Sequence, residues 1–412
     1  MYAFFIGITM IWRLKYIILT CGVILVGWLS YSFYYYFATS AQPTCTMNGL
    51  EENKAYAGDI HCTIHAQHPY RVSDISLWLD NRPILERFKI NRSYCDHSFT
   101  LASTTLPDGP HNLKIQLTDG SYRRNIASQE IPFIVDNIIL QAALVKPTGE
   151  CKVLQGRTLH VQFQVNKEIK EAKINVLSRT YPCFAESPGS TIYECFVPIA
   201  CEEIPNEFLY TIHITDQVGN HLSLENKFQV IAFPFKKQTL TMRSKTPEQD
   251  NYISAQAKEF EEKLAELIKQ SPAKKLWRAP FCIPVEMTSI TTDFGTIRTT
   301  QEKGRYAHKA LDLIAPPKSV VWAPADGIVV HIHDYEHNSG KTVVIDHGHS
   351  LISIFFHLDN FASHLREGDK IKRGQPIGTV GKSGYANGYH LHWGMSIDGI
   401  EIEPIQWTKM NF

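Results

Sequence analysis

The feature that most limits this chain lies near its start: residues 16–38, YIILTCGVILVGWLSYSFYYYFA, carry no charge. A helix rises about 1.5 Å per residue, so a run of this length crosses a hydrocarbon core about 30 Å thick. Arg13 and Lys15 precede it, and the next basic residue is Lys54. Because basic residues stay cytoplasmic, residues 1–40 read as a cytoplasmic stub and membrane anchor, with everything after about residue 40 exported. Tyr34, Tyr35, Tyr36 and Phe37 suit the outer interface. The competing reading is a signal peptide cleaved near Ala38, Ser40 and Ala41, which releases a secreted protein. The apolar core of a signal runs about 7–15 residues, shorter than this run, so the anchor is favoured.

Cysteine usage agrees with export. Cys21 sits in the apolar run; the other eight, an even set, suggest disulfides, with about 105 pairings open. Cys183 and Cys195 flank the turn signal Ser187-Pro-Gly-Ser190, so a hairpin staple is expected there. No Cys-x-x-Cys occurs, which argues against a zinc ribbon. Lys plus Arg and Asp plus Glu each number 41, so the exported part has no basic surplus for phosphate, and nucleic acid is not expected as a partner.

Beyond the anchor the chain reads as mainly β. Residues 45–136 carry short alternating runs such as Ile75-Ser-Leu-Trp-Leu79, punctuated by Asp108-Gly and Asp119-Gly. Residues 137–234 repeat the pattern, with Leu159-His-Val-Gln-Phe-Gln-Val165 and a turn at Gly219-Asn220. Each segment has about the length of one immunoglobulin-like sandwich, and LPDGPHNLKIQLTD followed by FIVDN resembles the closing strands of such a module. Nothing in either marks a site, so both read as spacers. Within 245–275 the period changes: Ala255, Phe260, Leu264 and Leu267 recur at helical spacing, and Ser271-Pro272 ends a connector helix over 247–270.

Residues 276–412 hold the chemistry. Ten of the 18 histidines fall between His308 and His392, about a fifth of the chain. Imidazole is the commonest metal ligand and the usual general base near neutral pH. Three His-x-His pairs occur (331/333, 347/349, 390/392), and on a strand residues i and i+2 share a face, so any pair could hold a metal. His308 and Asp312 add a His-x-x-x-Asp spacing; Leu311, Leu313 and the following Pro316-Pro317 read as strand, with Asp312 pointing into a site. Neither His-Glu-x-x-His nor Gly-x-Ser-x-Gly is present.

Six blocks then stand in one order: His308-Lys-Ala-Leu-Asp312, Val321-Trp-Ala-Pro-Ala-Asp-Gly327, Val344-Ile-Asp-His-Gly348, Phe356-His-Leu358, Gly368-Asp-Lys-Ile-Lys-Arg-Gly374-Gln-Pro-Ile-Gly378 and Gly388-Tyr-His-Leu-His392. Together they resemble the lysostaphin/LytM-type zinc metallopeptidases, metallopeptidase family twenty-three. The resemblance implies an antiparallel β catalytic domain of duplicated hybrid-motif type. It also implies one Zn2+ per chain on His308, Asp312 and His392, with His357 and His390 as the catalytic histidines. The implied reaction is hydrolysis of peptide cross-links in bacterial peptidoglycan. Exported cysteines and an anchor fit an inner membrane with periplasmic domains, which favours D-alanyl–diaminopimelate bonds. The rival expectation is a silent wall-binding or amidase-regulating protein that uses this domain as a docking surface. Ala310, Tyr389 and Trp393 stand where the family has Gly, Pro and Phe more often; none removes a ligating atom. His331, His333, His347 and His349 read as strand and turn residues near the groove, and His337 and His364 as exposed. A protein regulator, unidentified, would be in keeping with such enzymes; the helix over 247–270 and the loop over 299–305 are gate candidates by position only.

Overall fold

The computed structural model describes residues 2–239, 247–300 and 304–410. Strands dominate the chain, as its alternating pattern requires. It divides into two compact units, residues 1–139 with 217–219 and residues 140–216 with 220–412.

The first unit opens with the helix Tyr2–Phe33, continued by a wide turn Tyr34–Ala38. Lys15–Ala38 is long and apolar enough, by length and composition, to cross a membrane. A six-stranded sheet follows, in the order Thr44–Asn48, Asp59–Leu79, Gly109–Asp119, Ile126–Val135, Ala55–Tyr56, with Arg82–Ala102 paired on Asp59–Leu79. From Asp59 to His68 every second side chain is buried, the period of a sheet with one face on a core. Register shifts between Gln67 and Leu77 bend this strand, so that Ile60, Ile64, Val72 and Leu77 join one cluster. Hydrogen bonding is therefore continuous across the module rather than split between two facing sheets.

In the second unit, eight strands between Ala142 and Ile231 form one sheet around Val161, Phe163, Ile174, Tyr210 and Ile212. A ten-stranded sheet follows, whose central order is Ser289–Thr292, Leu311–Ile314, Leu391–Ile397, Leu351–Phe361, Gly340–Asp346, Gly327–Tyr335. The helix Pro247–Lys269 lies on it. Its buried residues are Ile253, Phe260 and Leu267. Ala255 is exposed: the buried stripe runs through Ile253, Phe260 and Leu267, and at about 100° per residue position 255 stands roughly 200° round the helix from Ile253.

The eight-stranded module is built into the ten-stranded domain rather than merely preceding it. Thr158 and Gln406 exchange hydrogen bonds at 2.7 and 3.1 Å, the indole of Trp407 donates to Thr158 Oγ1 at 3.3 Å, and Arg157 pairs with Glu403. Phe196 of the module packs with Trp277, Phe281 and Trp407 in a single core. Gly156 has φ +78°, and a Cβ there would stand 2.6 Å from the Phe294 ring, so the close approach needs glycine.

His347 and His349 belong to this junction, not to the groove. His347 is fully buried between the Asp326 carbonyl and Ser353 Oγ, each at 2.8 Å. His349 stacks on Phe184 of the module, with centroids 4.2 Å apart, and meets Trp277 edge-on. Left-handed φ at His349 and Ser350 turns the chain there, which the strand period does not reveal. Burial pushes both imidazoles down to about 4. Such a histidine takes its proton in the unfolded chain, near pH 6.5, before it does so folded. Stability is therefore full above about pH 6.5 and falls as pH drops toward 4, by at most about 3 kcal/mol per histidine. The expected result is a melting temperature that falls across this window, with a shallower slope for His349→Phe; a flat profile would contradict it.

All nine cysteines are unbonded thiols. Phe184 pairs with Glu194, which sets Cys183 directly across from Cys195, both buried and in hydrogen-bond contact. Treatment of the folded chain with oxidised glutathione is expected to protect this pair, and no other, from alkylation under denaturing conditions. Peptide mapping checks it.

Candidate metal centre

One row of residues crosses the sheet. Thr292 is register partner of Asp312, Asp312 of His392, and His392 of Phe356. Directly opposed residues of antiparallel strands share a face, so four strands deliver adjacent side chains to one spot. His308 ends the strand Gly304–His308 and arrives from a separate three-stranded sheet.

The ligand-type atoms of His308, Asp312 and His392 lie within 4.8 Å of one another. Asp312 Oδ1 is the hub, 3.1 Å from His308 Nε2 and 3.0 Å from His392 Nδ1. A tetrahedral zinc with bonds near 2.0–2.1 Å holds its ligand atoms roughly 3.3 Å apart, so this donor set fits such an ion. Burial works to raise the Asp312 carboxyl. Hydrogen bonds and charge from His308 and His392 outweigh it and hold the group far below the usual carboxylate range. His308 is pushed down by burial, against the pull of Asp312. A neutral His308 and an ionised Asp312 are the states in which these groups can bind a divalent metal. Ala310 is buried and leaves the convergence intact.

His390 and His357 stand beside this cluster, their ring centroids 4.9 Å apart. His390 lies two residues before His392, with Nε2 3.8 Å from Asp312 Oδ1. His357 sits where the register slips between Lys341 and Val343, with φ +63°. That left-handed bulge is a strained conformation of the kind concentrated at functional sites. His357 Nδ1 donates to the Ser383 carbonyl and His390 Nδ1 to the Gly388 carbonyl, both at 2.9 Å. A carbonyl only accepts, so each ring carries a proton on Nδ1, and the lone pair of its uncharged form is at Nε2. Burial, reinforced by His392 and His390, pushes His357 down to about 3.

All five histidine and aspartate positions singled out by sequence thus meet in one groove of about 520 Å³, also lined by Asn338, Tyr385 and Tyr389. His331 and His333 stack on each other away from it, His331 held by Glu367 and Tyr335. His337 and His364 are exposed. The connector helix lies behind the groove: Phe260 packs edge-on against Phe356, 5.3 Å apart, and Phe356 stacks on His392 at 4.9 Å and 14°. Among the described residues it does not roof the metal cluster, and 301–303 of the other gate candidate lie outside them. Sequence reasoning missed Arg298, which donates to Asp312 Oδ2 at 2.8 Å, and the Phe260–Phe356 backing; neither carries a spacing signal.

Residues 306–404 match Peptidase family M23. Over 122 residues the chain is 32% identical to the peptidoglycan DD-endopeptidase ShyC of Vibrio cholerae, covering 29% of this chain and 28% of that protein. It is 30% identical over 122 residues to the DD-carboxypeptidase/endopeptidase Mpg of Neisseria meningitidis, covering 30% and 27%. A solved Pseudomonas aeruginosa structure assigned to peptidase M23 shares 23% identity at TM-score 0.45, covering 62% of this chain and 94% of that one. The match thus spans under a third of the curated relatives' length.

Phe260→Ala is expected to cost about 3–5 kcal/mol in denaturant unfolding, with Phe260→Leu much milder, because the ring wedges between Phe356 and Tyr335. The C-terminal segment of this chain is a peptidase family M23 domain.

Proposed function

We propose that this protein is a zinc-dependent endopeptidase that hydrolyses peptide cross-links of bacterial peptidoglycan. The observation that carries the reading is the convergence of His308, Asp312 and His392 on one point, with two lone-pair-bearing histidines beside it in an open groove. His308 Nε2, Asp312 Oδ1 and His392 Nδ1 would hold one Zn2+. When bound, zinc polarises a carbonyl and lowers the pKa of a water toward about 7.

The chain's own groups do the rest. The open groove admits an extended peptide, and the groove-lining Gly388 leaves backbone close to it. Nε2 of His357 or His390 accepts a proton from the attacking water as its oxygen bonds to the scissile carbonyl carbon. That proton passes to the amide nitrogen as the C–N bond breaks, leaving a carboxylate and an amine. The second histidine, neutral with its lone pair at Nε2, would accept a hydrogen bond from the attacking water and hold its oxygen toward the carbonyl carbon. Burial keeps His357 neutral, and the Ser383 carbonyl fixes its tautomer, so its lone pair is preset.

The relatives' names, DD-endopeptidase and DD-carboxypeptidase/endopeptidase, support the D-alanyl–diaminopimelate bond as the target. The apolar helix over Lys15–Ala38 would tether the domains to the inner membrane, facing the periplasm.

Zinc content and cleavage of cross-linked muropeptides should be measured on the full chain beside His392→Ala and His357→Ala. The expected result is one zinc per chain and cleavage. His392→Ala should lose both, whereas His357→Ala should keep the metal and lose at least 100-fold in rate. A folded, zinc-free wild type would sink the reading; zinc without cleavage of any muropeptide would replace it with a docking role.

A further inference from the structure

The donor set is held from outside by residues that precede the segment matching the family, which starts at 306. Arg298 Nη2 donates at 2.8 Å to Asp312 Oδ2 and at 2.8 Å to Thr292 Oγ1, and its Nε reaches Gln238 Oε1 at 3.4 Å. The Arg298 and Asp312 side chains are only 17% and 8% exposed. Gln238 lies on the strand Lys237–Thr239, the path of the chain as it leaves the eight-stranded module. That strand runs parallel to Thr296–Thr300 with Gln238 as the register partner of Arg298.

We propose that Arg298 is a positioning residue for the metal ligand Asp312, and that the strand leaving the β module holds Arg298 in place through Gln238. The inference rests on the zinc-peptidase reading. A carboxylate has two oxygens and can offer a metal either or both. Here Oδ2 is taken by a guanidinium, so Oδ1, already facing His308 Nε2 and His392 Nδ1, is the atom left to coordinate. Binding Asp312, Thr292 and Gln238 at once needs a planar fork with several fixed donors, which Lys lacks. Outer partners of this kind typically tune metal affinity by about 10- to 100-fold.

The module is thereby coupled to the metal. Its exit strand supplies both the backbone partner of the Arg298 strand and the side chain on Arg298 Nε. A displacement of that strand moves the guanidinium and, through it, the Asp312 carboxylate.

The test is zinc affinity of the full chain, read by competition with a chromogenic chelator, for wild type, Arg298→Ala, Arg298→Lys and Gln238→Ala, with the apo melting temperature recorded for each. Arg298→Ala is expected to weaken zinc binding roughly 10- to 100-fold, Arg298→Lys to recover part of that, and Gln238→Ala to lose a few-fold. A purely structural arginine would lower the melting temperature and leave affinity unchanged. Wild-type affinity in folded Arg298→Ala overturns the proposal while the peptidase reading stands. Should that variant not fold, unchanged affinity in both Arg298→Lys and Gln238→Ala overturns it instead. A wild type that binds no zinc overturns both.

Discussion

One buried carboxylate organises the site. Asp312 accepts hydrogen bonds from two histidines at Oδ1 and from an arginine at Oδ2, and its own burial would otherwise drive it neutral. A lone buried carboxylate is costly; one surrounded by donors is a stable anion. The same contacts hold His308 and His392 in place around the carboxylate, so the three side chains are fixed relative to one another.

The antiparallel sheet makes this arrangement inexpensive to build. Thr292, Asp312, His392 and Phe356 come from four strands, yet register alone lines them up, and Phe356 then stacks on the His392 ring. Only His308 and His357 need something more: a second small sheet for the first, a left-handed bulge for the second. The connector helix completes the packing by pressing Phe260 onto Phe356. Three layers, from helix through aromatic ring to imidazole, fix the plane of the His392 ring.

The eight-stranded module changes meaning in this light. Its alternating strands carry no chemistry-bearing motif, and a spacer is what such a sequence suggests. In the structure its Phe196 enters the core of the peptidase domain and Thr158 bonds Gln406. Its exit strand also pairs beside Arg298. Contacts of this sort join residues some 248 positions apart, a separation at which no local periodicity can signal them.

By itself, the sequence determined the apolar span, the mainly β character, the connector helix and the five residues that line one groove. Those signals are local: an uncharged run, a period of two or 3.6, and short motifs whose chemistry demands particular residue types at particular spacings. The placing of Cys183 opposite Cys195 belongs to the same class, since a hairpin turn fixes its own register, but the expected disulfide is not formed and both are free thiols. Tertiary structure alone decided which histidines are structural. His347 and His349 share the His-x-His spacing of His390 and His392, but a left-handed turn buries the former pair in the domain junction. It alone put Arg298 on Asp312 and Phe260 behind Phe356. Those pairings depend on which strands become neighbours, a property of the whole sheet that no segment carries.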